Sequence, residues 1–155
     1  PRMTKALGGD ETGYDGAILA AAGLDRMGRM GEVAELLNPE QFIPASGQGT
    51  LAVETLSSAT GLRELVAAVD HAETRAASDA ERGFLARLGA GCATAAAAYA
   101  TLNGDAMTVR GFAANPDGSS SLTQAITGSV SDARDLGNEL ANDMIKQGAL
   151  ELIRG

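Results

Sequence analysis

Tyr99-Ala100-Thr101-Leu102-Asn103-Gly104, followed by Met107–Ala113, by Asn115-Pro116-Asp117-Gly118 and by Leu122–Ile126, is the stretch that decides the fold. Asn-Gly between two apolar runs is a strong hairpin signal, because both residues accept the positive φ of a two-residue turn. Asn-Pro-Asp-Gly turns the chain again: proline presets φ, while asparagine, aspartate and glycine tolerate a tight backbone. Turns this short force antiparallel neighbours, so a three-stranded meander is predicted.

Helices flank this sheet on both sides in sequence. Ala133, Leu136, Leu140 and Met144 fall on one helical face, with Ser131 placed to cap the helix and Gly148 to end it. Upstream, Ala77, Ala80, Phe84, Leu85 and Leu88 mark a helix from about Thr74 to Leu88, stopped by Gly89. Leu62, Leu65, Val66 and Val69 mark an earlier amphipathic helix. A meander with helices on one face is a small α+β unit of about 85 residues, large enough to bury its own core.

The first ~67 residues read differently, as an α/β piece. Tyr14–Gly23 is a short apolar run bounded by glycines, which predicts a strand buried on both faces. Leu24, Met27, Val33, Leu36 and Leu37 predict one helix or two short ones, ended by Asn38-Pro39. Phe42-Ile43-Pro44 reads as brief and extended, and Ser46-Gly47-Gln48-Gly49 as a loop into a second apolar strand, Thr50–Glu54. Two parallel strands with an uncovered face would be unstable alone. The expectation is therefore that this chain, which opens on Pro1, is part of a longer protein whose N-terminal half completes the sheet.

Composition narrows the function classes. The chain has 155 residues, a formal net charge of -8, one cysteine and one histidine. The negative balance argues against nucleic acid, which selects a basic face. It also means that an anionic small molecule needs a local group of arginines. No apolar run approaches the ~20 residues that span a bilayer, and no signal-peptide pattern opens the chain, so no membrane partner is expected. One cysteine excludes an internal disulfide, and no Cys/His cluster has metal-ligand spacing; the default location is a reducing cytoplasm.

The single cysteine lies in Leu88-Gly89-Ala90-Gly91-Cys92, just past a helical stretch. Two readings compete. A free cysteine among alanines is commonly a small buried hydrophobe. An exposed thiol on a glycine-flanked loop is instead able to carry a covalent group. Arg82 and Arg87 lie near it in sequence and would favour the thiolate if they turned toward it, although solvated helix charges explain them as well. His71 lacks a cysteine or carboxylate constellation and reads as structural.

Four stretches, in this order, resemble the porphobilinogen deaminase (hydroxymethylbilane synthase) family. They are Tyr14-Asp15-Gly16-Ala17-Ile18-Leu19-Ala20-Ala21-Ala22-Gly23-Leu24-Asp25-Arg26-Met27-Gly28 and Pro44-Ala45-Ser46-Gly47-Gln48-Gly49-Thr50-Leu51-Ala52-Val53-Glu54. The others are Asp70-His71-Ala72-Glu73-Thr74, continuing through Ala80-Glu81-Arg82-Gly83-Phe84-Leu85, and Leu88-Gly89-Ala90-Gly91-Cys92 with Ala98-Tyr99-Ala100. Each alone is a weak word; four with matching spacing are specific.

The resemblance implies three domains in the complete enzyme. Residues 1–49 would be the C-terminal part of the second, α/β domain, and residues 50–67 the strand and helix that return to complete the first. Residues 68–155 would be the α+β domain that carries the cofactor. It also implies the chemistry: four porphobilinogen molecules are joined head to tail into hydroxymethylbilane with release of ammonia, in tetrapyrrole and heme biosynthesis. The growing oligopyrrole is anchored on a dipyrromethane held covalently by a cysteine thioether.

Residue by residue, the resemblance makes Cys92 the thioether cysteine, and makes Arg26 and Arg2 cleft arginines. Gln48 becomes a glutamine beside the cofactor, and Ala20 a position whose backbone contacts it. Arginine suits a ligand rich in acetate and propionate groups, because its planar fork makes paired, charge-assisted hydrogen bonds. The family's catalytic aspartate has no counterpart here; Asp15 and Asp70 lie in matching motifs but do not take its place. No catalytic residue is expected within this chain, and the chain alone is expected to be inactive. The complete enzyme is expected to be a monomer. Where the family commonly has a proline after the cysteine, this chain has Ala93-Thr94-Ala95-Ala96-Ala97-Ala98.

Two rival readings remain at this level. An isolated binding or assembly domain would suit the anionic surface and the ordinary hairpins, but leaves the order of the four motifs unexplained. A thiol-redox protein would want a second cysteine or a helix N-terminus, whereas Cys92 follows a helix C-terminus, whose dipole disfavours a thiolate.

Overall fold

The computed structural model describes residues 15–91 and 93–154. The described residues divide into two compact units between Leu36 and Leu37.

In the first unit, residues 16–20 carry no regular structure and lead into a short helix, α1 (Ala21–Arg26). A 3-10 turn follows at Met30–Glu32. Arg29 closes it with two bonds to the Glu32 carboxylate, from Nε at 2.6 Å and from a terminal nitrogen at 2.5 Å. Leu24 is the one buried apolar side chain among the described residues of this unit. The strand expected over Tyr14–Gly23 is therefore not formed across residues 15–23, and Tyr14 lies outside the described residues. No described strand lies beside it in sheet pairing, so its backbone hydrogen bonds have no ladder to join, and the alanine-rich end turns helical instead.

The second unit holds the sheet and the longer helices. Helix α2 (Thr60–Ala67) is followed by α3 (Ala72–Leu88), then by strands β1 (Ala96–Asn103), β2 (Ala106–Ala114) and β3 (Ser121–Ser129). Helices α4 (Ala133–Lys146) and α5 (Ala149–Arg154) complete it. The strand order is β1-β2-β3, antiparallel throughout, as the turn chemistry predicts. Residues 50–54, expected as a strand, run without a partner, and Leu51 and Val53 are exposed. Again a strand has no regular structure where no neighbour takes its N–H groups.

Two turn details differ from the expectation. The first hairpin closes on the pair Asn103–Ala106, so its two loop residues are Gly104 and Asp105 rather than Asn103 and Gly104. Gly104 takes the left-handed φ of 59° and Asp105 does not, so glycine leads the turn. Before α4, Ser129 rather than Ser131 does the capping: its Oγ accepts from Ser131 N–H at 3.2 Å, over a 3-10 turn at Val130–Asp132. Gly148 ends α4 as expected, with φ 95°, and a further short helix, α5, follows it.

The core follows from two periodicities. Met107, Val109 and Ala113 alternate onto one face of β2, with Ala98 and Ala100 of β1 beside them. Ala80, Phe84 and Leu88 of α3 and Leu136, Leu140, Ala141 and Met144 of α4 pack onto that face. Phe84, Met107, Leu140, Met144 and Val109 are the largest side chains wholly removed from solvent, a burial that stabilises by about 1.5–3 kcal/mol each. Glycines let the layers close. A Cβ on Gly83 of α3 would lie 2.6 Å from the Arg134 carbonyl oxygen, and one on Gly128 of β3 would lie 2.5 Å from Leu136.

Candidate cofactor site

Strand β1 is an edge strand, and its open side is where the site is built. Ala114 N–H bonds the Ala95 carbonyl at 2.8 Å, so Ala97, Tyr99 and Thr101 face β2 in the ladder. Ala98 and Ala100 therefore aim their N–H groups away from the sheet, where an unpaired edge is a liability.

Both are satisfied by side chains from elsewhere. Ser46 Oγ accepts from Ala98 N–H at 2.9 Å and donates to the Ala98 carbonyl at 3.1 Å, completing a strand-like pair with one hydroxyl. Glu81 Oε1 accepts from Ala100 N–H at 3.0 Å, and its Oε2 accepts from Gly47 N–H at 2.6 Å. Glu81 is 6% exposed and is the one buried charged side chain among the described residues. Burial pushes its carboxyl above the usual glutamate range, and the two backbone N–H donors pull part of the way back. The glycines of the loop accept the geometry: Gly47 has φ 74° and Gly49 has φ 83°.

Sequence reasoning assigned Glu81 and Ser46 no role. A signal was present for Glu81, because it stands four residues from Ala77 and from Leu85, on the apolar stripe of α3. A carboxylate on a buried stripe needs partners, and backbone donors are the ones that do not appear in a residue pattern.

The connection from α3 to β1 is the segment that carries Cys92. Gly89 caps α3 in the left-handed region at φ 66°, with Ala90 N–H bonding the Leu85 carbonyl at 3.0 Å. Past the cysteine, Gly91 N–H donates to Thr94 Oγ1 at 3.0 Å and Thr94 N–H to the Gly91 carbonyl at 2.9 Å. Cys92 and Arg2 lie outside the described residues. Gly91 and Ala93 on either side of the cysteine are exposed, and a Cβ built on Gly89 or on Gly91 meets nothing within 4 Å.

Other candidate residues fall as follows. Gln48 is exposed at the tip of the Ser46–Gly49 loop, its N–H bonding the Ala45 carbonyl at 3.0 Å. In the first unit, Ala20 caps α1 through its carbonyl, which accepts from Gly23 N–H at 3.0 Å, and Arg26 is exposed in the last turn. Arg87 Nε donates to Asn142 Oδ1 of α4 at 2.6 Å. His71 caps α3, its Nδ1 accepting from Thr74 N–H at 3.3 Å. Asp70 is exposed and held below the usual carboxylate range by its ion pair with Arg75. A separate groove of about 730 Å³ runs between residues 50–55, α2 and α3. Its charges are mixed (Arg63, Arg75 and Arg82 against Glu64, Asp70 and Asp79), and Gln48 is not among its lining residues.

A meander covered by helices on one face, with a glycine-rich loop docked on its open edge, defines a small α+β domain. Residues 76–146 match the family model described as porphobilinogen deaminase, C-terminal domain. Residues 1–64 match the model described as porphobilinogen deaminase, dipyromethane cofactor binding domain. The chain belongs to the porphobilinogen deaminase family, transferase-type enzymes of tetrapyrrole biosynthesis that use porphobilinogen and a dipyrromethane cofactor. No helix among the described residues is long and apolar enough to cross a membrane.

Proposed function

We propose that this chain supplies the cofactor anchor and one wall of the cleft of a hydroxymethylbilane synthase. The enzyme joins four porphobilinogen molecules and releases ammonia. The observation that carries the reading is that the two family models tile the chain in order, with Cys92 inside the segment matched to the C-terminal domain. The domain boundaries after Gly49 and after Ala67 are part of the same proposal.

When bound, the dipyrromethane supplies an anchored pyrrole terminus, which turns each addition into a reaction with a tethered partner and so lowers its entropic cost. Cys92 holds that anchor through Sγ, because a thiolate is a good nucleophile toward an electrophilic carbon and a thioether survives turnover. Arg26 and Arg2 bind the acetate and propionate groups, Gln48 offers an amide to the pyrrole system, and the Ala20 backbone closes on it.

The chain alone is inactive on this reading, and it works with an upstream portion of the enzyme that carries the catalytic aspartate. In support, Leu51, Leu65 and Val69 are 76%, 73% and 72% exposed, an apolar surface without cover among the described residues. A cytoplasmic location and a monomeric complete enzyme belong to the same proposal.

Intact mass and a pyrrole colour reaction test the reading on the purified chain. An adduct of dipyrromethane size, lost in Cys92→Ala, is the expected outcome after incubation with porphobilinogen and the upstream half. A bare chain under those conditions, with the two halves shown to associate, would overturn it in favour of a non-catalytic binding domain.

A further inference from the structure

We propose that Glu81 is a positioning residue: its buried carboxylate, with the Ser46 hydroxyl, latches the Ser46–Gly49 loop, and with it Gln48, to the open edge of β1, the strand into which the Cys92-bearing connection leads. The proposal rests on the cofactor roles given above to Gln48 and Cys92.

The geometry carries it. Glu81 sits on α3 seven residues before its last residue, Leu88, and reaches β1 five residues after Ala95. The connection holding Cys92 thus lies, in sequence, between Glu81 and the Ala100 N–H that its carboxylate binds. The second oxygen of the same carboxylate takes Gly47 N–H at 2.6 Å, next to Gln48. Ser46 pins the other side of Gly47 by two bonds to Ala98. Among the described residues, no other side chain bonds the backbone of residues 46–49, so without this latch the loop keeps only its own turn bonds, Gln48 N–H to Ala45 and Thr50 N–H to Gly47.

The chemistry is selective. A carboxylate accepts on both oxygens, and both partners here are donors. Glutamine accepts on one oxygen only and would turn its own N–H group against a backbone N–H. Aspartate is shorter by one methylene, which draws its carboxylate back toward α3 and away from the two donors that Glu81 serves at 2.6 and 3.0 Å. A carboxylate chosen only for core packing would show neither preference.

The test uses the whole 155-residue chain, wild type beside Glu81→Gln, Ser46→Ala and Gln48→Ala. Amide exchange is followed at Gly47 and Ala100 and, as an internal control, on β2 and α4. In E81Q the Gly47 amide is expected to exchange at least roughly tenfold faster while β2 and α4 keep their protection, the pattern of a local opening. S46A is expected to speed exchange at Gly47 and Ala98 in the same way, and it removes no core atom, so it reads the latch even where E81Q loses its fold. With the upstream half added, cofactor adduct at Cys92 is expected to fall as far in E81Q as in Q48A, with the double variant no worse than either. Unchanged Gly47 exchange in both E81Q and S46A would overturn the latch. Equal loss of adduct from additive, independent effects would overturn its action through Gln48. A wild-type chain without adduct, but with the exchange pattern above, would keep the latch and sink the cofactor reading instead.

Discussion

Gly137 of α4 lies directly against the Ala80 carbonyl of α3, with too little space between them for a Cβ. Gly83 faces back across the same crossing, where a Cβ would stand 2.6 Å from the Arg134 carbonyl oxygen. The two longest helices therefore meet backbone to backbone, and their glycines are set by that contact, since neither residue is at positive φ.

Gly137→Ala should lower stability despite the better intrinsic helix propensity of alanine. The propensity gain is up to about 1 kcal/mol, whereas forcing backbone apart in a packed layer costs about 1–3 kcal/mol or more. A Cβ on Gly61 of α2 meets nothing within 4 Å, so Gly61→Ala should leave stability unchanged or slightly raised. Urea midpoints of the two variants check this. A Gly137→Ala midpoint equal to wild type would mean that the helices separate without cost.

The same contrast shows what was legible beforehand. The meander could be read because its turns are local: Asn103-Gly104 and Asn115–Gly118 specify antiparallel neighbours without outside help, and moving the first turn on by one residue shifts the β1–β2 register by two, which keeps each side chain on its face. The stripe of Ala133, Leu136, Leu140 and Met144 is buried as its spacing predicts. The apolar runs at residues 15–23 and 50–54 were not legible, because a parallel strand is defined by a partner distant in sequence. Cys92 and Gln48 could be singled out through the family motifs, yet Glu81 could not be joined to them. Its partners are backbone N–H groups of Gly47 and Ala100, which any residue type would supply.

Glu81 also gives the domain a pH dependence with a definite sign. Its carboxyl binds a proton more readily in the folded state than in the unfolded chain, where the ordinary value of 4.5 applies. The folded state holds more protons between that value and the raised one, so stability falls as pH rises through this window and is flat above it. Below 4.5 the contribution is fully present. Asp70 and Asp117 are displaced the other way, by Arg75 and by Ser119 respectively, and would lose their stabilisation as pH falls through the acid range. Both are exposed, so their contribution is small. Urea unfolding from pH 4 upward, wild type minus Glu81→Gln, isolates the buried group: the difference should narrow as pH rises past the glutamate range. A difference that widens would mean the two N–H donors outweigh burial.

The last relationship is one of size. Gly111 sits in the middle of β2, where a Cβ would come 2.6 Å from the Phe84 ring and 2.9 Å from the Met144 sulfur. Glycine is a poor strand residue by intrinsic preference, so its presence here follows from the ring lying over the backbone. Phe84 is wholly buried and cannot move outward without opening the α3–sheet layer. Gly111→Ala alone should therefore cost about 1–3 kcal/mol. Phe84→Leu alone should also cost stability, by leaving a cavity over the strand. Combined, the added methyl fills part of the space the ring vacates, so the double variant should be more stable than the sum of the two losses allows. Residues in direct contact show such coupling at about 0.5–3 kcal/mol. A thermodynamic cycle of the four proteins by urea unfolding measures it, and strict additivity would mean that the ring is not what keeps residue 111 small.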